Sequence, residues 1–181
     1  GFGATQITEA ISHFPETCLS HWSLLTGVLP EVHGNVPAVR TSIWKGPGMS
    51  EIARHQGYAT QAFIGGITLS NRYCGMRRSF TGFDDVYHWD EADMKRPASD
   101  LTERAVAWIQ EQKDKPYFLF VHYFDAHYPY TPTKLIPITE DLDSYREGKA
   151  TPSAELLGKV QQLYEAEIEE LDQNLAPLLA A

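Results

Sequence analysis

Thr17 stands before an apolar-rich stretch, Cys18-Leu19-Ser20-His21-Trp22-Ser23-Leu24-Leu25, which closes on Thr26-Gly27. The spacing predicts a helix over 18–25, with Thr17 as its N-cap and Gly27 past its end. The start of a helix presents backbone N–H groups without intrahelical partners, at the positive end of the dipole. That is a ready place for a phosphoryl or sulfuryl group. A hydroxyl there can attack such a group once a base or a metal takes its proton, since an alcohol is a weak nucleophile at its free pKa. Ser20 and His21 fall in the first turn and can donate to the same anion. From local sequence alone, a plain threonine cap is the simpler reading. A second group of interest is His127, in a loop marked by Pro129, Pro132 and Pro137. An imidazole with an ordinary pKa near 6.5 can give a proton to a departing oxygen. Taken singly, a loop histidine usually has no such role.

These residues need a scaffold. The near-continuous apolar run Tyr117-Phe118-Leu119-Phe120-Val121 predicts a strand buried on both faces of a parallel sheet, and it delivers His127 into the loop beyond. Residues 58–64 predict another strand, broken by Gly65-Gly66, and residues 4–7 a short one. Helices are predicted over 50–55, ended by Gly57, and from Ser99 or Asp100 to before Lys115-Pro116, with Leu101, Ala105, Trp108 and Ile109 on one side. Residues 28–48 and 67–98 read as largely irregular. A long helix starts near Pro152. Its apolar stripe is Leu156, Val160, Leu163, Tyr164, Ile168, Leu171, Leu175 and Leu178, and its solvated face carries Glu165, Glu167, Glu169, Glu170 and Asp172. Two helix-to-strand units imply an α/β domain with a mainly parallel sheet. Ligand groups in such sheets collect at the carboxyl ends of the strands, here the loops after Ile64 and Tyr123.

The 181 residues suffice for one domain with a sizeable core. No apolar run approaches the roughly 18–20 residues of a membrane span, and no signal peptide is visible. The chain opens on Gly1 in sequence that already reads as mid-domain, so a piece of a longer chain is expected. Net charge is −9. An acidic chain argues against non-specific nucleic-acid binding. Residues 1–82 hold six basic and four acidic side chains, whereas 83–181 hold nine and twenty. The mildly basic half therefore contains Thr17, which suits an anionic substrate, although ordinary charge scatter gives the same pattern. Two cysteines, Cys18 and Cys74, make neither a disulfide framework nor a zinc pattern, and whether they pair is open.

The stretch Thr-Cys-Leu-Ser-His-Trp-Ser-Leu-Leu-Thr-Gly from Thr17 to Gly27 resembles the nucleophile segment of sulfatase-type hydrolases in the alkaline phosphatase superfamily, Cys-x-Pro-Ser-Arg-x-x-Leu-x-Thr-Gly. It is closer to a branch reading Thr-Leu-Pro-Ser-His-Ala-Ser-Leu-x-Thr-Gly. Counting back from Leu24, Thr26 and Gly27 puts Thr17, not Cys18, in the nucleophile position. Pro30 and His33-Gly34 continue the family's Tyr-Pro-x-x-His-Gly. Residues 116–130, Pro-Tyr-Phe-Leu-Phe-Val-His-Tyr-Phe-Asp-Ala-His-Tyr-Pro-Tyr, resemble the family's Pro-Phe-Phe-Leu-Phe-Val-His-x-Phe-Asp-Pro-His-x-Pro-Tyr. Weaker matches are Gly57-Tyr58-Ala59-Thr60, the segment from Gly82 to Tyr87, and Tyr164-Glu165-Ala166-Glu167-Ile168. Gly65-Gly66-Ile67-Thr68 stands where true sulfatases often place a sulfate-binding lysine and histidine.

The resemblance implies a three-layer α/β/α sandwich with a mainly parallel sheet, alkaline-phosphatase-like. Residues 1–181 would be one partial catalytic domain, incomplete at both ends. It implies a metal-dependent hydrolase of sulfate or phosphate esters, with a covalent intermediate on Thr17. His127 would assist the leaving group and Ser20 and His21 would bind a small anionic ester. His122 and Asp125 would orient the loop by hydrogen bonds. It implies a divalent metal, calcium or zinc, with Thr17 among its ligands and the others outside this chain, so that the piece alone is inactive. Two alternatives are a phosphoethanolamine-type transferase and a non-catalytic binding domain, each of the same fold.

Overall fold

The computed structural model describes residues 7–34, 44–86, 95–130, 138 and 140–181. In chain order its elements are α1 (Thr17–Thr26), α2 (Pro30–His33), α3 (Met49–His55), β1 (Ala59–Ile64), α4 (Asn71–Cys74), β2 (Gly82–Asp84), α5 (Ala98–Gln112), β3 (Tyr117–His122), α6 (Leu142–Arg146) and α7 (Ala154–Ala180). Single 3₁₀ turns cover Ile67–Leu69 and Met76–Ser79. The three strands form a parallel sheet in the order β2-β1-β3. The register pairs Ala59 with Tyr117 through to Ile64 with His122. The carboxyl ends of β1 and β3 therefore lie side by side.

Successive strand residues point to opposite faces, and β1 shows it. Ala62 and Ile64 join one core with Cys18, Leu19, Trp22 and Leu25 of α1. Phe63 joins a second core with Leu101 and Ala105 of α5, against which Trp108 and Leu178 pack. Helices thus cover both faces of the sheet, which is the expected α/β/α layering. Phe118 and Phe120 of β3 pack on the α1 side, Leu119 and Val121 on the α5 side. The strand is half-buried over most of its length, not sealed on both faces as its apolar run suggested.

Several sequence expectations are corrected. Thr17 is the first residue of α1 and Glu16 takes the N-cap place. Gly27 closes the helix with φ of 72°, a left-handed conformation that glycine adopts without a Cβ penalty. The segment 67–98 contains α4 and β2, and α2 interrupts the loop after Gly27. Glu167, placed on the solvated face of the last helix, is 5% exposed, whereas Tyr164 and Ile168 of the apolar stripe are each 42% exposed. The strand expected over 4–7 falls on residues outside the described ones apart from Ile7, which belongs to no element. Tyr87, Pro132 and Pro137 also lie outside them.

The two cysteines are joined. Cys18, next to Thr17, is disulfide-bonded to Cys74 at the end of α4, with 5.5 Å between their Cα atoms. Trp22 Nε1 donates to the Cys74 carbonyl at 3.1 Å. His33 of α2 is fully buried with Nε2 3.1 Å from Ser23 Oγ. α1 is thus fastened at its start to α4 and along its length to α2.

Candidate functional site

The first turn of α1 has no side-chain cap. Thr17 is half-buried, and its hydroxyl makes no hydrogen bond among the described residues. The sequence put Ser20 and His21 beside it as anion donors. In the structure both turn to the Thr17 carbonyl: His21 Nδ1 donates to it at 2.7 Å and Ser20 Oγ at 3.1 Å. A carbonyl only accepts, so His21 Nδ1 carries the hydrogen and Nε2 is left for other partners. Ser20 and His21 also border, with Ile11, Ser12, His13 and Leu24, an open cavity of about 340 Å³.

The helix meets the end of β3 through aromatic rings. His21 stands edge-on to His122, with centroids 5.0 Å apart, and to Phe120 at 6.0 Å. His122 lies against Phe124 at 5.5 Å, and Phe124 stacks on His127 at 4.2 Å. Three histidines from α1, β3 and the following loop thus share one region, at the carboxyl end of the sheet where ligands of such folds collect. His127 is exposed, and its Nδ1 donates to the Tyr128 carbonyl at 2.5 Å, which leaves Nε2 for a substrate.

Burial lowers the pKa of His21, against the opposing effect of its bond to the Thr17 carbonyl. His122 is lowered to about 3, first by burial and then by repulsion from His21 and His127. It is therefore a neutral ring at pH 7. Its Nδ1 is buried without a hydrogen-bond partner among the described residues. The expected orienting hydrogen bond from His122 is absent there. Asp125 does orient the loop: Oδ1 accepts from the first N–H of α5, that of Ala98, at 2.8 Å. Burial raises the Asp125 pKa.

Sequence reasoning missed the segment that ties these loops together. The Arg96 amide donates to the Gly65 carbonyl at 2.8 Å, and its guanidinium reaches the Ile64 carbonyl at 3.3 Å and Asp84 Oδ1 at 3.0 Å. Asp100 Oδ2 takes a further bond from Arg96 at 2.8 Å. Asp84, from the Gly-Phe-Asp match, thus holds the end of β2 to the start of α5. Lys95 Nζ donates to the carbonyls of Asp125 at 2.7 Å and Pro129 at 2.6 Å. The usable signal was a basic pair directly before a helix start, where the dipole disfavours it.

Among the described residues, no three His, Cys, Asp or Glu side chains converge to hold a metal. Thr17 Oγ1 is the one atom of this chain that the resemblance assigns to a metal.

A parallel sheet with helices packed on both faces defines an α/β/α protein. The chain belongs to the sulfatase family, whose sequence model matches residues 3–181. Two solved structures are similar in fold. The lipoteichoic acid synthase LtaP from Listeria monocytogenes matches with a TM-score of 0.58 at 16% identity, over 92% of this chain and 41% of that one. A protein in the alkaline phosphatase superfamily from Vibrio parahaemolyticus matches with a TM-score of 0.51 at 15% identity, over 89% of this chain and 39% of that one. The chain thus spans about two fifths of their lengths. No curated protein matches it in sequence.

Proposed function

We propose that residues 1–181 form part of one catalytic domain that cleaves sulfate or phosphate esters through a covalent intermediate on Thr17. The observation that carries this reading is the Thr17 hydroxyl, unbonded on the uncapped first turn of α1. Family membership supports it. Thr17 Oγ1 gives up its proton to solvent and attacks sulfur or phosphorus, and the new bond to Thr17 forms as the bond to the leaving oxygen breaks. His127, protonated at Nε2, gives that proton to the leaving oxygen. Backbone N–H groups of the first turn face the anion. Water then releases the product and restores the hydroxyl.

Ser20 and His21 serve the substrate indirectly in this conformation. They hold the Thr17 carbonyl, and they turn toward the anion only if they release it. Among the described residues no base hydrogen-bonds to Thr17 Oγ1, and no step is routed through a metal here. A divalent metal, calcium or zinc, remains an expectation of the family resemblance. Transfer to an acceptor alcohol shares the first step, and the likeness in fold to a lipoteichoic acid synthase keeps it as the second reading. A Thr17→Ala substitution in the full-length protein tests the reading on 4-nitrophenyl sulfate and 4-nitrophenyl phosphate. Turnover is expected to be lost; unchanged turnover would rule Thr17 out as the nucleophile.

A further inference from the structure

We propose that Lys95 is a positioning residue for His127, a role that rests on His127 protonating the leaving group. Lys95 pairs through its backbone with Gly66, in an antiparallel bridge directly beyond β1. From there its ammonium reaches across to the loop after β3. It takes the carbonyls of Asp125 and Pro129, two residues to either side of His127, at 2.7 and 2.6 Å. One cation thus closes the five-residue span that carries the imidazole. Both bonds run from a charged donor, and such bonds are roughly twice as strong as neutral ones.

The neighbouring residues complete the brace. The Arg96 amide holds the Gly65 carbonyl, and the Ala98 amide donates to Asp125 Oδ1. Residues 95–98 therefore fasten the loop after β1 and the loop after β3 to each other. Inside that frame His127 has few restraints of its own: its Nδ1 bond to Tyr128 and its stacking on Phe124 both lie within the loop. Without the Lys95 clamp, the loop keeps its local contacts and the Ala98 bond to Asp125 but loses the tie at Pro129, on the far side of His127. A misplacement of about 1 Å at a catalytic group can cost roughly 100-fold in rate.

The reaction supplies a readout that loop stability alone would not move. The proton passes from His127 Nε2 to the leaving oxygen as its bond to sulfur or phosphorus breaks. A 4-nitrophenolate leaves without help, whereas a phenolate needs the proton. General acid assistance is worth roughly 10²–10⁴-fold where it is needed.

The experiment compares 4-nitrophenyl and unsubstituted phenyl esters, as sulfates and phosphates, on full-length wild-type protein and the variants His127→Ala, Lys95→Met, Lys95→Arg and Lys95→Met/His127→Ala. His127→Ala is expected to lose about 100-fold more on the phenyl ester than on the nitrophenyl ester. Lys95→Met is expected to tilt the same way, by at least about tenfold between the two esters. Lys95→Arg keeps charge and donors and tilts less. The double variant should equal His127→Ala, because the clamp has nothing left to position. A tilt in His127→Ala but uniform loss, or none, in both Lys95 variants would overturn the Lys95 role and leave the His127 reading standing. No tilt in His127→Ala would overturn both. If Lys95→Met fails to fold, Lys95→Gln, shorter and uncharged, takes its place: the same tilt is expected, and no tilt overturns the Lys95 role.

Discussion

His122 should make the fold sensitive to mild acid, and its Phe variant should remove that sensitivity. In the fold its pKa is lowered to about 3, against 6.5 for an unhindered histidine. His122 is 9% exposed, so little solvent screening discounts the shift. Below pH 6.5 the unfolded chain binds a proton at His122 that the folded chain refuses. Stability is therefore full above pH 6.5 and falls as pH drops toward about 3. Each pH unit well inside that window costs about 1.4 kcal/mol. Between pH 7.5 and 5 the loss from this one group comes to about 2 kcal/mol. That is a large part of a typical stability of roughly 5–15 kcal/mol. His122→Phe keeps a ring against His21 and Phe124 and titrates nothing. Urea unfolding at both pH values, for wild type and variant, isolates the group. The difference between the two proteins should grow by about 2 kcal/mol on acidification. Parallel pH dependence in the two proteins would refute the buried neutral imidazole.

Other outcomes follow from the packing. Gly65→Ala puts a Cβ against the His122 carbonyl and within 2.8 Å of Leu101 Cδ1, and 3.3 Å from the Phe124 amide. Backbone cannot yield as a side chain does, so urea midpoints should show a loss of at least the roughly 1–3 kcal/mol typical of overpacking. Opening the Cys18–Cys74 bridge as the Cys18→Ser/Cys74→Ser variant frees a loop set by a separation of 56 residues, worth about 4 kcal/mol by chain entropy. Equal midpoints for wild type and the double variant would deny that the bridge forms. Leu101→Ala, at a fully buried position, should cost about 2–5 kcal/mol. Leu157→Ala, 54% exposed, should stay within about 0.5 kcal/mol.

The long elements were legible because their apolar spacing is set by burial: α1, α5, α7, β1 and β3 all fall within a few residues of expectation. The strand β2 was not, since three residues show no period and its pairing with β1 is a long-range fact. Glu167 misled because a helical wheel assigns one solvated face, while burial depends on what covers the helix. In the candidate site, Thr17 and His127 were singled out by the family resemblance, since type and local spacing alone favoured a plain cap and a loop histidine. The placing of His122 between His21 and His127 depends on which helix meets the end of β3, and sequence does not state that. Lys95 and Arg96 showed only as a basic pair before a helix start; the Asp125, Pro129 and Ile64 carbonyls they hold lie about 30 residues away and could not be read from it.

The most direct test is to trap the intermediate. Full-length protein is mixed with a 4-nitrophenyl ester, quenched in acid within a turnover, digested and read by mass spectrometry. A phosphoryl or sulfuryl group on Thr17, absent in Thr17→Ala, is the expected result. Turnover with the group on Ser20, or on no residue, would contradict Thr17 as the nucleophile.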